Sequence, residues 1–264
     1  IFAGPLLGGL LIGAIGVGGL LLVNAASYLA VLAALLLMRW EPQAAGPVRT
    51  GVLRSALQGF AYVYRDPVIR PLFFLMVFVA LGGRSFQQLL PAVAHDSLRG
   101  DAVVLSWLLA STGMGAVVGS LMTASLGSLR RRGLAVCASA VVFGGFLFLF
   151  AVQRSLAPAL ITVTIASTAL ALHTGLHVTI YTTRAPDHLR GRVVAASAVI
   201  PSSLIPLGTL LFGSLGTLFG IGAALAAGGL LVLAAGVVVG LAAGPLRRLG
   251  SEPAPELDPA PAAL

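Results

Sequence analysis

Residues 102–126, AVVLSWLLASTGMGAVVGSLMTASL, contain no charged side chain. Gly127-Ser128-Leu129-Arg130-Arg131-Arg132 follows, and then a second uncharged run, 133–153, GLAVCASAVVFGGFLFLFAVQ. A helix of about 20 apolar residues crosses a ~30 Å hydrocarbon core. The stretch therefore reads as two membrane helices joined by a short arginine-rich turn. Reading outward gives further spans at 1–17, 19–38, 71–93, 156–183, 193–216 and 220–244. Gly and Pro occur within several of them, which membrane helices tolerate because neighbouring segments satisfy freed backbone groups.

Composition agrees. Of 264 residues, 58% are apolar and 9% charged, and the mean hydropathy is +1.02. Soluble domains carry about 25% charged residues, and this chain is too apolar to hide its surface in a water-solvated core. Soluble enzymes, disordered chains and nucleic-acid-binding modules are thereby excluded as readings. The net charge of +8 does not imply nucleic acid, because every cation is an Arg and nearly all lie between apolar runs. The loops at 39–70, 127–132 and 184–192 and the tail after 244 hold thirteen Arg; the alternate loops hold Arg99 and Arg154 alone. By the positive-inside rule the rich set is cytoplasmic, as is the C-terminus, so the expectation is a multi-pass protein of the cytoplasmic membrane. The single Cys137 sits in an apolar run and reads as packing. No Cys/His cluster suggests a metal, and nothing implies a cofactor.

Within 39–70, residues 41–50 read as a flexible linker. Residues 51–65 place Val52, Leu53, Leu57, Phe60, Ala61 and Tyr64 as in an amphipathic helix on the inner membrane surface, ended by Asp66-Pro67. Residues 245–264, rich in Pro and Ala, read as a disordered tail. The first residues, Ile1-Phe2-Ala3-Gly4-Pro5, lack Met and a basic leader, and the expectation is a chain that starts inside a membrane helix of a longer protein. Two spans precede the linker and six follow it. The predicted organisation is 1–38 as the last two helices of one bundle, 39–70 as linker, 71–244 as a complete six-helix bundle and 245–264 as tail.

Three stretches carry a family resemblance. Gly4-Pro5-Leu6-Leu7-Gly8-Gly9 is similar to the GPxxGG core of the fifth-helix motif of drug antiporters. Residues 55–67, Ser-Ala-Leu-Gln-Gly-Phe-Ala-Tyr-Val-Tyr-Arg-Asp-Pro, resemble the segment before a seventh helix. Pro186-Asp187-His188-Leu189-Arg190-Gly191-Arg192-Val193 resembles a PxxxRGRV loop between the tenth and eleventh. Residues 113–119 with Arg130-Arg131-Arg132-Gly133 are a looser fourth match. Together they resemble the major facilitator superfamily, in particular its enterobactin-exporter-type efflux branch, over residues 1–244. The resemblance implies an all-α polytopic fold of two six-helix bundles, about eight of twelve helices being present, and secondary transport by alternating access. It implies an exporter of a hydrophobic or siderophore-like small molecule, coupled to protons. The family's basic loop between its second and third helices falls outside this chain, and the 127–132 loop lacks the Asp that its second-half copy carries.

Polar residues inside spans are costly and so informative. None of the eight acids falls within a span. His173 and His177 are four residues apart and share a helix face. They lie eleven and seven residues inward of Arg184, roughly 16 and 10 Å, which puts His173 near the midplane, where carrier sites lie. They are candidates for proton coupling; equally, two such rings can simply hydrogen-bond between packed helices. Arg84 is the one cation inside a span, roughly 21 Å beyond Arg70. It either faces a cavity, where it would attract an anionic substrate, or snorkels to the external headgroups. Gln87, Gln88 and Asn24 are further cavity candidates, with packing as Asn24's simpler role. Pro201 and Pro206 predict a bent helix.

Small-xxx-small pairs recur at Gly4/Gly8, Gly9/Gly13, Gly115/Gly119, Gly216/Gly220, Gly236/Gly240 and Gly240/Gly244. Such pairs let helix backbones approach closely. The resemblance implies that Gly4, Pro5, Gly8 and Gly9 bring the first span against a second-half helix to seal the cavity. It also implies that Arg130, Arg131, Arg132, Asp187, Arg190 and Arg192 hold an inner gate, besides setting topology. Two other readings are a non-transporting scaffold or inactive remnant, and an intramembrane enzyme using His173 and His177. The latter finds no metal motif, nucleophile elbow or paired carboxylates. The expected partners are membrane lipid, a small-molecule substrate and protons.

Overall fold

A computed structural model describes residues 3–37, 63–64, 66–125, 132–184, 187–242 and 244. The linker at 41–50, all but the end of the amphipathic segment, and the tail from 245 lie outside the described residues. Those described are helical with no strand among them. They form α1 (Ala3–Leu37), α2 (Ile69–Ser97), α3 (Ala102–Ser125), α4 (Arg132–Ala151), α5 (Leu156–Arg184), α6 (Asp187–Phe219) and α7 (Ile221–Ala242). Six of these, all but α1, contain a segment long and apolar enough to cross a membrane. That gives the all-α polytopic bundle.

α1 is two helices joined at Gly16, where φ is 69° and ψ 175°, a region essentially reserved for glycine. The bend brings Ile15 against Gly19, where an added Cβ would lie 2.7 Å from that of Ile15. The break falls beside the boundary expected between spans 1–17 and 19–38, and the apolar segment after it is Leu21–Leu37. Leu36 and Leu37 there are 88% and 83% exposed, which water would penalise and lipid would not.

α2 departs most from a plain helix. It widens into π-helical turns at Val79–Arg84 and Val93–Ser97, a local geometry frequent at functional sites. It also outruns the expected 71–93 at both ends. Asp66 Oδ1 accepts hydrogen bonds from the backbone N–H of Val68 (2.8 Å) and Ile69 (2.9 Å). Pro67 stands where a missing N–H costs nothing. Asp66-Pro67 therefore starts α2. Asp66 also accepts from Arg184 Nε, at 3.1 Å to Oδ2, tying the start of α2 to the end of α5. Each charge complements the dipole of its own helix terminus. Asp66→Ala should cost ~1 kcal/mol for the cap and up to ~1 kcal/mol for the ion pair. Asp66→Asn keeps the cap and should lose only the second part. Thermal midpoints of the two variants in detergent check the order.

Packing runs in pairs: α3 on α5, α4 on both α5 and α7, and α6 on α7 and the first π turn of α2. The core holds Leu72, Leu75, Phe86, Leu90, Phe143, Leu147, Phe150, Ile180 and Val232. Close approach of backbones explains the glycines. A Cβ on Gly115 or Gly119 would overlap the carbonyl oxygen of Thr164 or Thr168 on α5, so this small-xxx-small pair is a helix contact. Gly236 and Gly240 of α7 face Val141 and Cys137 of α4. Gly220 instead makes the α6–α7 turn at φ +88°, and neither it nor Gly244 has a neighbour within 4 Å of a Cβ. Those two are not packing positions, because a turn and a helix end leave open space beside them. Not anticipated are Gly82 against Gly228, Gly208 against the Leu81 carbonyl, and Gly144 against Gly229. These lock α2, α6, α4 and α7 together.

Residues 187–192, expected in a loop, are helical: α6 begins at Asp187. Membrane-length apolarity starts only at Ser197, so the first turns of α6 are a polar extension of a span, which hydropathy alone reads as loop. Asp101, counted as a loop charge, accepts from Val103 N–H at 2.9 Å and caps α3.

Candidate functional site

The first π turn of α2 ends on Arg84, which is half-buried. A π turn inserts one extra residue per turn, so it re-aims the side chains that follow. Gly82 and Gly83 are buried against Gly228 and Phe143, and Ser85 Oγ donates to the Leu81 carbonyl at 2.7 Å. These contacts fix the turn. Arg84 makes no ion pair with any described residue, and it lines a cavity with His173, His177 and Tyr181 of α5 and Ser197 and Pro201 of α6. About 40 Å³ of it is open to water-sized spheres. That is room for one or a few waters or a small polar group.

His173 is 2% exposed and His177 3%. Their rings lie 4.5 Å apart between centroids, tilted by 37°. His173 Nδ1 lies 3.2 Å from the Val136 carbonyl oxygen and 3.4 Å from Ser139 Oγ, so its N–H donates to α4. His173 Nε2 and both ring nitrogens of His177 are buried with no hydrogen-bond partner. The His177 ring meets Tyr181 edge-on at 5.4 Å, and the buried Tyr181 hydroxyl is likewise unpartnered. Buried polar atoms are nearly always satisfied, and these unsatisfied ones lie in a row beside one cavity. The expected pairing of the two histidines on one face is found. Tyr181, one turn further along that face, joins them unanticipated, and its i+8 spacing from His173 is the signal for it in the sequence.

The other candidates stand apart. Gln87 and Gln88 are both exposed and do not line the cavity; the π turn carries them past it. Asn24 is exposed on α1, and its backbone carbonyl accepts from Ser27 Oγ at 2.7 Å. Gly4, Pro5, Gly8 and Gly9 fall in the first helical part of α1, but their side-chain surroundings lie outside the described residues. Arg130 and Arg131 lie outside them too, as do the side chains of Asp187, Arg190 and Arg192. Arg132 begins α4. Among the described residues no three His, Cys, Asp or Glu side chains gather as metal ligands would.

The family model of transmembrane secretion effectors matches residues 2–258 of this chain. The multidrug efflux pump Tap of Mycolicibacterium fortuitum is 28% identical over 229 residues, covering 85% of this chain and 55% of that protein. The chain thus spans about half the length of that curated relative. No solved structure matches it at a significant level.

Proposed function

The chain belongs to the transmembrane secretion effector family of major facilitator transporters, and we propose that it is part of an exporter of hydrophobic or siderophore-like small molecules that works by alternating access. In this reading α2–α7 are one complete six-helix bundle and α1 supplies the last two helices of the other. The protein lies in the cytoplasmic membrane with its C-terminus inside, as the arginine distribution supports. The observation that carries the proposal is the polar row of Arg84, His173, His177 and Tyr181 along one cavity between α2, α5 and α6, in which His173 Nε2, both His177 ring nitrogens and the Tyr181 hydroxyl have no hydrogen-bond partner. A membrane bundle built only as a scaffold has no use for it, whereas intramembrane ionisable groups mark substrate and ion paths. Likeness to an efflux pump supports the outward direction.

In the same reading His173 and His177 take up and release the coupling proton. Histidine is the side chain whose charge changes near neutral pH, and the described acids sit at helix ends: Asp66 before α2, Asp96 next to its last residue, Asp101 before α3 and Asp187 at the start of α6. The test is efflux of a fluorescent hydrophobic dye from cells expressing the protein, with and without a protonophore. Faster efflux that the protonophore abolishes is expected. Efflux equal to that of cells lacking the protein overturns the proposal. Arg190 serves the inner gate, and exposed charge pairs contribute ~0.2–1 kcal/mol. Arg190→Gln should accordingly slow efflux by ~1.4–5-fold at equal protein in the membrane. Unchanged efflux would leave Arg190 with a purely topological role.

A further inference from the structure

We propose that the groove between the start of α2 and the end of α7 holds one anionic phospholipid, its phosphate on Arg70 and an acyl chain between the two helices. Arg70, Phe74 and Phe78 follow at four-residue steps along one side of α2, a descent of roughly 12 Å from Arg70. Val238, Val239 and Ala242, in the last turns of α7, form the opposite wall. The groove measures about 530 Å³. Tyr64 and Arg70, both exposed, stand at its mouth, and the rest of its lining is apolar. One charged end on an apolar slot at the end of two membrane helices has the form of a lipid, not of a water-soluble ligand.

The head decides which lipid. A tail that leaves the bilayer for an apolar wall gains little, because the two are equally apolar. An acyl chain alone would lodge here no better than elsewhere on the bundle, so Arg70 supplies the difference. Its guanidinium carbon lies 5.9 Å from the centre of the Tyr64 ring, a cation–π contact that steadies the side chain. It makes no ion pair with any described residue, which leaves its N–H fork for two phosphate oxygens. Asp66, the acid nearest to it along the chain, is engaged elsewhere: it accepts from the Val68 and Ile69 N–H groups and pairs with Arg184. The phosphate belongs on the α2 side, since a helix N-terminus favours an anion and the C-terminus of α7 disfavours one. A choline head would bring its own cation against Arg70, whereas a glycerol head brings none. The groove therefore selects lipids of net negative charge.

The test is native mass spectrometry of the purified chain released from detergent after titration with phosphatidylglycerol, or with phosphatidylcholine of the same acyl chains. The first phosphatidylglycerol should bind about fivefold more tightly, equivalent to ~1 kcal/mol, the attraction of one arginine for anionic lipid. Arg70→Gln should erase that preference, and Arg70→Lys, which keeps the charge but not the fork, should keep part of it. Arg154→Gln, which removes an exposed arginine from the turn between α4 and α5 at the other end of the bundle, should leave it intact. Ala242→Trp, at an exposed position in the slot, should weaken both lipids. Equal binding of the two lipids, a preference that survives Arg70→Gln, or undiminished uptake by Ala242→Trp overturns the proposal. Uptake of neither lipid would mean that a second copy or another part of the chain covers the groove, and overturns it too. Binding in micelles needs no translocation, so the result stands whether or not the chain serves efflux.

Discussion

Gly144→Leu should leave little monodisperse protein after detergent extraction. A Cβ at Gly144 would lie 2.5 Å from the Leu233 nitrogen and 2.7 Å from the Gly229 carbonyl oxygen. Both are backbone atoms of α7, so no side chain can swing aside. Overpacking a core that can adjust costs ~1–3 kcal/mol. Forcing two helix backbones apart should exceed the upper end, a large share of a total stability of about 5–15 kcal/mol. The neighbouring Gly145 is the control: a Cβ there meets only Leu233 Cδ1, at 3.6 Å. Gly145→Leu should melt within a few degrees of the parent. Size-exclusion profiles and melting curves of the two variants decide the matter, and indistinguishable behaviour would mean that α4 and α7 do not cross at Gly144.

His173→Leu with His177→Leu should separate chemistry from packing. Removing a buried polar group together with its unmet hydrogen bonds can be nearly neutral for folding. His177 has no bond to lose, and His173 loses one, worth ~1 kcal/mol. The double variant should therefore fold and melt close to the parent. If the pair carries the coupling proton, proton-driven efflux should fall at least tenfold, since each decade corresponds to about 1.4 kcal/mol. Exchange of labelled for unlabelled substrate across the membrane, which moves no net proton, should persist. Full proton-driven efflux in the double variant would assign the rings to packing alone.

How much of this was legible beforehand differs by residue. The runs around Arg130–Arg132 announce membrane helices by length and charge alone, and the structure keeps each of 102–126, 133–153 and 156–183 as a helix within a few residues. Gly115 and Gly119 were legible as a close helix contact because four-residue spacing is a local property of one helix. Gly82, Gly144 and Gly208 were not, since each meets its partner singly on a helix distant in sequence. Along the sequence Arg184 reads as a topological charge and Asp66 as a helix stop. Their pairing joins residues 118 positions apart, which no local pattern encodes. Gln87 and Gln88, adjacent in sequence and so unable to share a helix face, read as one cavity residue and one packing residue; both are exposed on α2 just beyond the π turn.

The sequence by itself determined that this is a multi-pass membrane protein and the order of its apolar helices along the chain. These follow from hydrophobic length and charge counted along the chain. Only the tertiary structure decided which face of each helix looks inward. In a membrane protein the lipid-facing and packed faces are both apolar, so periodicity cannot tell them apart. The meeting of Arg84 with His173, His177 and Tyr181 depends on a π turn in α2 and on glycine crossings that set it against α7 and α6. Backbone geometry and packing, not composition, brought those four side chains to one cavity.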